Sequence, residues 1–274
     1  MSFRVLSYNL LEGFRSHPER KAAALNWIAQ LNPDVAALQE MNGYSAKSLA
    51  EEALQWHHSH ALLLKPDGYP TALTSRASIS HIYSAQEGFQ HGLLKARVAG
   101  IDFFVVHLSP WSADERRREA ALIVARVQES LRTGQPTLVL GDFNALSPAD
   151  AGYYAKHSDV RDFLSRMDGP HPSGFVCANT VGGELDFSVL ESFGAAGLVD
   201  LVARKTKSAR ERLSFPTPLI EAASTDDYLR RSMRLDYILA SPDLARRCHS
   251  AKIVNDESTA RLSDHYPVVA EFEL

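Results

Sequence analysis

Short apolar runs that end in a polar residue recur along this chain, and they constrain its fold more than any other feature. Leu6-Ser7-Tyr8 leads into Asn9, and Val35-Ala36-Ala37-Leu38-Gln39 leads into Glu40. Phe103-Phe104-Val105-Val106 leads into His107, and Leu138-Val139-Leu140-Gly141 into Asp142 and Asn144. Brief runs of β-branched and aliphatic residues bounded by turn formers read as buried strands. Ligand sites in layered α/β proteins gather at strand ends, where side chains are fixed by a sheet yet open to solvent. The C-terminal part adds Asp236 inside Leu235-Asp236-Tyr237-Ile238-Leu239, and Asp264-His265 just before Val268-Val269. An acidic residue inside an apolar strand is costly unless it is paired or hydrogen-bonded.

Helical patterns alternate with these runs. Pro18 to Leu31 is expected to be a helix with Ala22, Leu25, Ile28 and Ala29 on one face, and Ser45 to His57 a second. Ser112 and Glu115 have capping-box spacing. Ala120, Val124, Val127 and Leu131 then follow at i, i+4, i+7 and i+11, before Gly134 and Pro136 stop the helix. Further strands are expected near Ala61 to Leu64, Thr71 to Thr74, Leu93 to His107 with a turn at Ala99-Gly100, Thr137 to Leu140, Ala251 to Val254 and Val268 to Phe272. Ser147 to Phe193 reads as irregular connections. No repeat, low-complexity tract or hinge interrupts the pattern, so residues 1–274 are expected to form one α/β domain.

Composition removes several classes. With 45% hydrophobic and 23% charged residues the chain is globular rather than disordered or fibrous. It has no apolar run of the roughly 18–20 residues a bilayer span needs and no leader-like N-terminal pattern, so a cytoplasmic protein without membrane insertion is expected. Cys177 and Cys248 lack metal-ligand spacing and read as idle thiols. A net charge of −4 argues against coating nucleic acid through bulk positive charge. The segment Arg204 to Arg234 nevertheless carries eight basic against four acidic residues, which reads either as a solvated face or as an anion-steering rim. Carboxylates, amides and two histidines without cysteine ligands suit a hard cation, Mg²⁺ or Mn²⁺, better than zinc.

Six segments carry a resemblance. Tyr8-Asn9 with Gly13, Leu38-Gln39-Glu40, Val106-His107-Leu108, Gly141-Asp142-Phe143-Asn144-Ala145, Leu235 to Leu239 and Ser263-Asp264-His265-Tyr266-Pro267-Val268 resemble, in order, the motifs of the endonuclease/exonuclease/phosphatase family of metal-dependent phosphoesterases. The resemblance implies an α/β, deoxyribonuclease-like, four-layer sandwich of two mixed β-sheets flanked by helices. It implies that Glu40 binds Mg²⁺ or Mn²⁺ with Asn9 and Asp264 beside it, and that Asp142 orients or deprotonates the attacking water. Asn144 would hold a phosphate oxygen, and His265, held by Asp236, would contact the scissile phosphate. His107 resembles the second phosphate-contacting histidine of the deoxyribonuclease-like and sphingomyelinase-like branches.

The runs Asn9-Leu10-Leu11-Glu12-Gly13 and Glu40-Met41-Asn42 depart from the apurinic-site endonuclease pattern, and Glu12 reads as an outer contact of the metal or as a solvated loop carboxylate. The implied activity is a phosphodiesterase, nuclease-like in preference, with a lipid phosphodiesterase or phosphomonoesterase as the alternative and a silent phospho-ligand binding module as the non-enzyme one. A monomer acting on a phosphate ester, nucleic acid among the candidates, is expected. Trp111 is a candidate for stacking on a base or stapling the next helix, Arg76 is a candidate substrate contact, and the Ser214 to Pro218 loop a candidate specificity element.

Overall fold

The computed structural model describes residues 2–220 and 231–274. Twelve strands of these residues build two six-stranded sheets. They are β1 (Ser2–Asn9), β2 (Val35–Gln39), β3 (His60–Leu63), β4 (Ala72–Ser75), β5 (Ser80–Ala85) and β6 (Leu93–Val98), then β7 (Ile101–His107), β8 (Thr137–Asp142), β9 (Val199–Asp200), β10 (Asp236–Ala240), β11 (Cys248–Ile253) and β12 (Val268–Glu273). The first sheet runs β11-β12-β1-β2-β4-β3 and the second β9-β10-β8-β7-β6-β5. Each sheet has one parallel pair at its centre, β1 with β2 and β7 with β8, and its other pairs are antiparallel.

Period-two alternation sorts the strand side chains into layers. Val5, Val35, Ala37, Phe103, Val105, Leu138, Leu140, Ile238 and Val268 pack in the core between the sheets. Their neighbours Leu6, Tyr8, Ala36 and Leu38 face outward against α1 (Lys21–Leu31) and α2 (Ala46–Ala53). Phe104, Val106 and Val139 face outward on the other side, against α3 (Ala113–Arg132), with Phe193 of a further helix, Ser188–Ala195, in the same cluster. The result is the four-layer sandwich expected.

Topology then gathers the polar tips at one edge. Parallel pairing puts the C-terminal ends of β1 and β2 side by side, and likewise those of β7 and β8. Because β10 is antiparallel to β8, with Asp236 opposite Asp142, its beginning meets the end of β8. β12 starts opposite Ser7 of β1, so Asp264 and His265 arrive at that edge too. By strand parity Asn9, His107, Asp142 and Asp236 all fall on the face between the sheets.

Some local expectations need correction. On α1 the buried face is Ala24, Leu25 and Ile28, whereas Ala22 is exposed, because at about 100° per residue it stands more than a quarter-turn from the centre of that face. Ser112 caps α3 by accepting from the Glu115 amide, but the Glu115 carboxylate takes the Ser109 hydroxyl instead of closing the box. The segment 147–193 contains helices Asp159–Met167 and Ser188–Ala195 and two short ribbons, so it is more regular than expected. Strand β5 has mostly exposed side chains and so lacked an apolar signal. In the basic segment Arg204, Lys205, Lys207 and Arg210 are exposed, whereas Arg212 and Arg234 are buried struts. Arg212 pairs with Asp150 at 2.7 Å, and Arg234 with Asp150 at 2.7 Å and Asp200 at 2.8 Å. Glu221, Asp226, Asp227 and Arg230 lie outside the described residues. Cys177 and Cys248 are free and buried, and no helix of the described residues is long and apolar enough to cross a membrane.

A buried polar network ties the outer layer of the first sheet. His58 Nε2 lies 2.8 Å from the Pro33 carbonyl, which can only accept, so Nε2 carries the hydrogen. Nδ1 then accepts, with Trp56 Nε1 at 3.1 Å and Thr74 Oγ1 at 2.8 Å. Burial pushes this imidazole down to about 4, with the Pro33 carbonyl opposing in part. The unfolded chain therefore binds a proton between pH 6.5 and 4 that the folded chain refuses, and stability falls as pH drops through that window. Between pH 7 and pH 5 the wild type is expected to lose about 2 kcal/mol from this group. Urea melts at both pH values should show that loss shrinking by the same amount in His58→Gln; an unchanged loss would contradict the assignment.

Candidate active site

Side chains from two strand ends and from the segment before β12 converge on one carboxylate oxygen. Asp142 Oδ2 accepts from Asn9 Nδ2 at 3.1 Å and faces His107 Nε2 at 3.6 Å and His265 Nε2 at 3.7 Å. Its Oδ1 accepts from the Asn144 amide at 2.9 Å. His265 Nδ1 donates to Asp236 Oδ2 at 2.8 Å, and this fixes which nitrogen of His265 faces Asp142. Asp236 is itself seated by its own amide, which donates to Ser214 Oγ. Ser263 donates to the Asn9 carbonyl at 2.7 Å, joining the start of the Asp264-His265 segment to the end of β1.

Glu40 breaks strand parity to join them. One residue past β2 it would point outward, but its φ of 58° turns it back, and Asn9 Nδ2 donates to its Oε1 at 3.1 Å. The Glu12 amide donates to its Oε2 at 2.8 Å. That amide is aimed by Leu11, Glu12, Gly13 and Phe14, four successive residues at positive φ. Leu11 and Glu12 carbonyls accept from Phe14 and Arg15, closing a left-handed turn. The Glu12 carboxylate accepts from Tyr69.

Burial sets the charges. Burial works against a charged His265, but Asp236, Asp142 and Asp264 outweigh it and hold the pKa well above the ordinary range. His107 is pushed well down by burial, with His91 and His265 adding, so it is a neutral donor. Burial also raises Asp142 above the usual carboxylate range, His265 opposing. Glu40 is raised by burial and by the nearby Asp264 carboxylate, against the Glu12 and Asn9 hydrogen bonds. Two mutually repelling carboxylates beside a buried amide form an oxygen-rich cradle that a divalent cation would relieve, so Glu40, Asp264 and Asn9 fit a hard metal ion. Asp142, Asp236 and His265 also bring ligand-type atoms within 4.8 Å of one another. In that group His265 Nδ1 and Asp236 are already spent on each other.

Comparison with known proteins follows the same line. The sequence pattern of the Endonuclease/Exonuclease/phosphatase family matches residues 6–265. The chain belongs to that family. It is a phosphoester-hydrolysing enzyme of the endonuclease/exonuclease/phosphatase kind. Solved structures with the same fold include an AP endonuclease from Archaeoglobus fulgidus, 18% identical with a TM-score of 0.69, which covers 99% of this chain and 100% of that one. A 3′ phosphatase, NExo, from Neisseria bound to a product DNA hairpin is 20% identical with a TM-score of 0.70, again over 99% and 100% of the two chains. A family member from Bacteroides vulgatus is 15% identical with a TM-score of 0.66, over 100% and 99%. A comparison with curated proteins returns no match.

At this edge the structure brings together Asn9, Glu40, His107, Asp142, Asn144, Asp236, Asp264 and His265. Asn144, at φ 46°, spends one amide hydrogen on the Leu108 carbonyl at 2.9 Å and keeps the other. Arg76 is not among them. β4 is antiparallel to β2, with Ser75 opposite Val35, so the end of β4 lies at the far edge of the sheet. There Arg76 binds the Pro33 carbonyl at 3.1 Å and the Asn32 side chain. Trp111 packs against His171 and Phe175, at 5.1 and 4.7 Å between ring centres, rather than stapling α3. The Ser214 to Pro218 loop does reach the site: Phe215 lies 4.9 Å from the His265 ring, and the Thr217 amide donates to the Asp264 carbonyl.

Sequence reasoning missed His91. Its ring stacks on His107 at 4.1 Å and 22°, and Tyr69 lies 5.5 Å from it on another side. A histidine in the loop before β6 carries no spacing signal that would single it out.

The glycine before Asp142 has no substitute. Gly141 has φ 144°, and a Cβ there would stand 1.9 Å from the Val106 carbonyl oxygen of the adjacent parallel strand. Gly141→Ala is expected to cost about 3 kcal/mol or more through backbone strain and overpacking. Denaturant unfolding reads this directly, and a loss under about 1 kcal/mol would show that β7 and β8 can part without cost.

Proposed function

We propose that this family member is a divalent-cation-dependent phosphodiesterase acting on nucleic acid. The observation that carries the reading is the convergence of an amide and two imidazoles, one held protonated and one neutral, on the buried Asp142 carboxylate. A water seated at Asp142 Oδ2 gives its proton to the carboxylate while its oxygen attacks phosphorus in line with the leaving oxygen, whose bond to phosphorus breaks and which takes up a proton from solvent. A base whose pKa is raised by burial is better matched to a neutral solution than an ordinary aspartate. As negative charge builds on the non-bridging oxygens, protonated His265 donates to one of them, and Asp236 keeps the imidazolium in place. Neutral His107 and the free amide hydrogen of Asn144 supply further donors without releasing a proton. Glu40, Asn9 and Asp264 would hold a Mg²⁺ or Mn²⁺ ion, which would supply charge neutralisation for the phosphate.

Nucleic acid is favoured over lipid because the structural relatives include an AP endonuclease and a 3′ phosphatase bound to a DNA hairpin. The second of these also makes removal of a 3′-terminal phosphate the alternative reaction. The purified protein is expected to cleave an aryl phosphodiester and DNA in Mg²⁺ or Mn²⁺, to stop in chelator and to recover on adding metal. Asp142→Ala and His265→Ala should each lower kcat by about 10³-fold or more, as loss of a general base or a charged donor does. Wild-type turnover in either variant would remove the mechanism. Faster phosphate release from 3′-phosphate ends than diester cleavage would replace it with the phosphatase reading.

A further inference from the structure

We propose that Glu119, on α3, is a positioning residue that holds the stacked imidazoles His91 and His107 against Asp142. The inference rests on the phosphodiesterase reading of the same site. Glu119 is 3% exposed, and its carboxylate bridges two separate loops. Oε1 accepts from the Gln90 amide at 2.6 Å, and Oε2 accepts from the Ser109 amide at 2.8 Å. Gln90 directly precedes His91, and Ser109 comes two residues after His107. One side chain therefore fixes the backbone beside both rings.

Little else on the rings themselves can do so. Among the described residues neither His91 Nε2 nor His107 Nδ1, both buried, finds a hydrogen-bond partner. Buried imidazoles usually have their orientation set by a partner on the ring nitrogen away from the reacting side. Here the orientation has to come from ring stacking and from the backbone. The two loops do not pack tightly where Glu119 reaches across: they flank a cleft of ≈ 240 Å³ whose lining includes Gln90, Ser109 and Glu119. The neighbouring turn of α3 reinforces the same point. Glu115 accepts from Ser109 Oγ at 2.6 Å, and Arg116 donates to the Ser109 carbonyl at 3.1 Å, so α3 engages every polar group of Ser109. On the Gln90 side, among the described residues, the hydrogen bond from α3 is the one to Glu119.

A carboxylate costs much to bury, and this one is pushed up to about 7 by burial although both amides donate to it. A merely structural brace and a positioning brace differ in one measurable way. If Glu119 acts through His107, its removal matters only while His107 is present. Glu119→Gln keeps the shape but turns an amide toward one of the two N–H groups. With a diester substrate in Mg²⁺, E119Q is expected to lower kcat by about 10- to 100-fold, the size of effect a displaced reacting group produces, with KM changed less than about twofold. In a His107→Ala background the same substitution should cost less than about twofold. Equal losses in both backgrounds would overturn the proposal.

Glu119→Asp, shortened by one methylene but still charged, runs the same cycle if E119Q does not fold. An arm independent of activity uses the imidazole proton resonances, assigned with the His91→Ala and His107→Ala variants. Both rings should lose their mutual upfield shift in E119Q, and unchanged resonances would also overturn the proposal. Failure of the wild type to cleave any diester would count against the phosphodiesterase reading instead, and the resonances would still decide whether Glu119 holds the pair.

Discussion

Burying the Asp142 carboxylate at the seam of two sheets is the constraint on which the rest of this site depends. An isolated carboxylate there would be prohibitively costly, and the fold meets the cost with partners drawn from both sheets. Asn9, from the centre of the first sheet, donates to the same oxygen that two imidazoles face from the second sheet and from the segment before β12. Asn9 simultaneously donates to Glu40, so one amide couples the general-base candidate to the metal-binding candidate. Loss of that amide would leave two buried carboxylates facing each other. The site is therefore a joint between the sheets as well as a place for chemistry, and its geometry is as rigid as the sandwich that carries it.

The joint forms where it does because of strand direction. Each sheet has a single parallel pair at its centre, and parallel pairing is what aligns the C-terminal ends of β1 with β2 and β7 with β8. Antiparallel partners β10 and β12 contribute from their beginnings, so Asp236 and the Asp264-His265 pair precede or open their strands rather than close them. Alternation then selects the face. His107 and Asp142 each stand two residues beyond an inward-facing core residue, Val105 and Leu140. A one-residue register slip would send both outward, which couples correct strand pairing to the presence of the site.

Much of this was legible in the sequence for the same reasons. Strand runs that end in Asn9, His107 and Asp142 announce both the element and the side chain's position at its edge, and local spacing suffices to read them. Arg76 shows where such reading fails. It too follows a strand run, but whether a strand end lies at the active edge depends on its direction in the sheet, and direction is a property of pairing that spacing does not contain. Arg212 and Arg234 fail differently: a basic-rich stretch reads as surface until Asp150 and Asp200, distant in sequence, are seen to bury two of its members. His91 was invisible because its role comes from a ring stacked across a loop. The expectation of irregular structure over 147–193 missed the helices Asp159–Met167 and Ser188–Ala195, which are nine and eight residues long, too short for a sustained apolar period.

Strain marks the remaining part of the site. Glu40 and Asn144 both hold positive φ without being glycine, and the turn from Leu11 to Phe14 is left-handed throughout. Such backbone costs of order 1–3 kcal/mol per residue and persists only where the surroundings over-determine it. Here Arg20 provides the surroundings. Buried, it donates to the Leu10 and Leu11 carbonyls at 2.7 Å each and to that of Leu262, while its guanidinium lies 4.7 Å over the Phe14 ring. Gly13 closes the turn against the Glu40 loop, where a Cβ would stand 2.3 Å from the Asn42 carbonyl oxygen. One arginine thus clamps the strained turn whose Glu12 amide holds Glu40, and also the chain two residues before Asp264. The pair of carboxylates that suits a cation is held together by backbone that would relax elsewhere, so their mutual repulsion is built into the folded chain and does not depend on a ligand to create it.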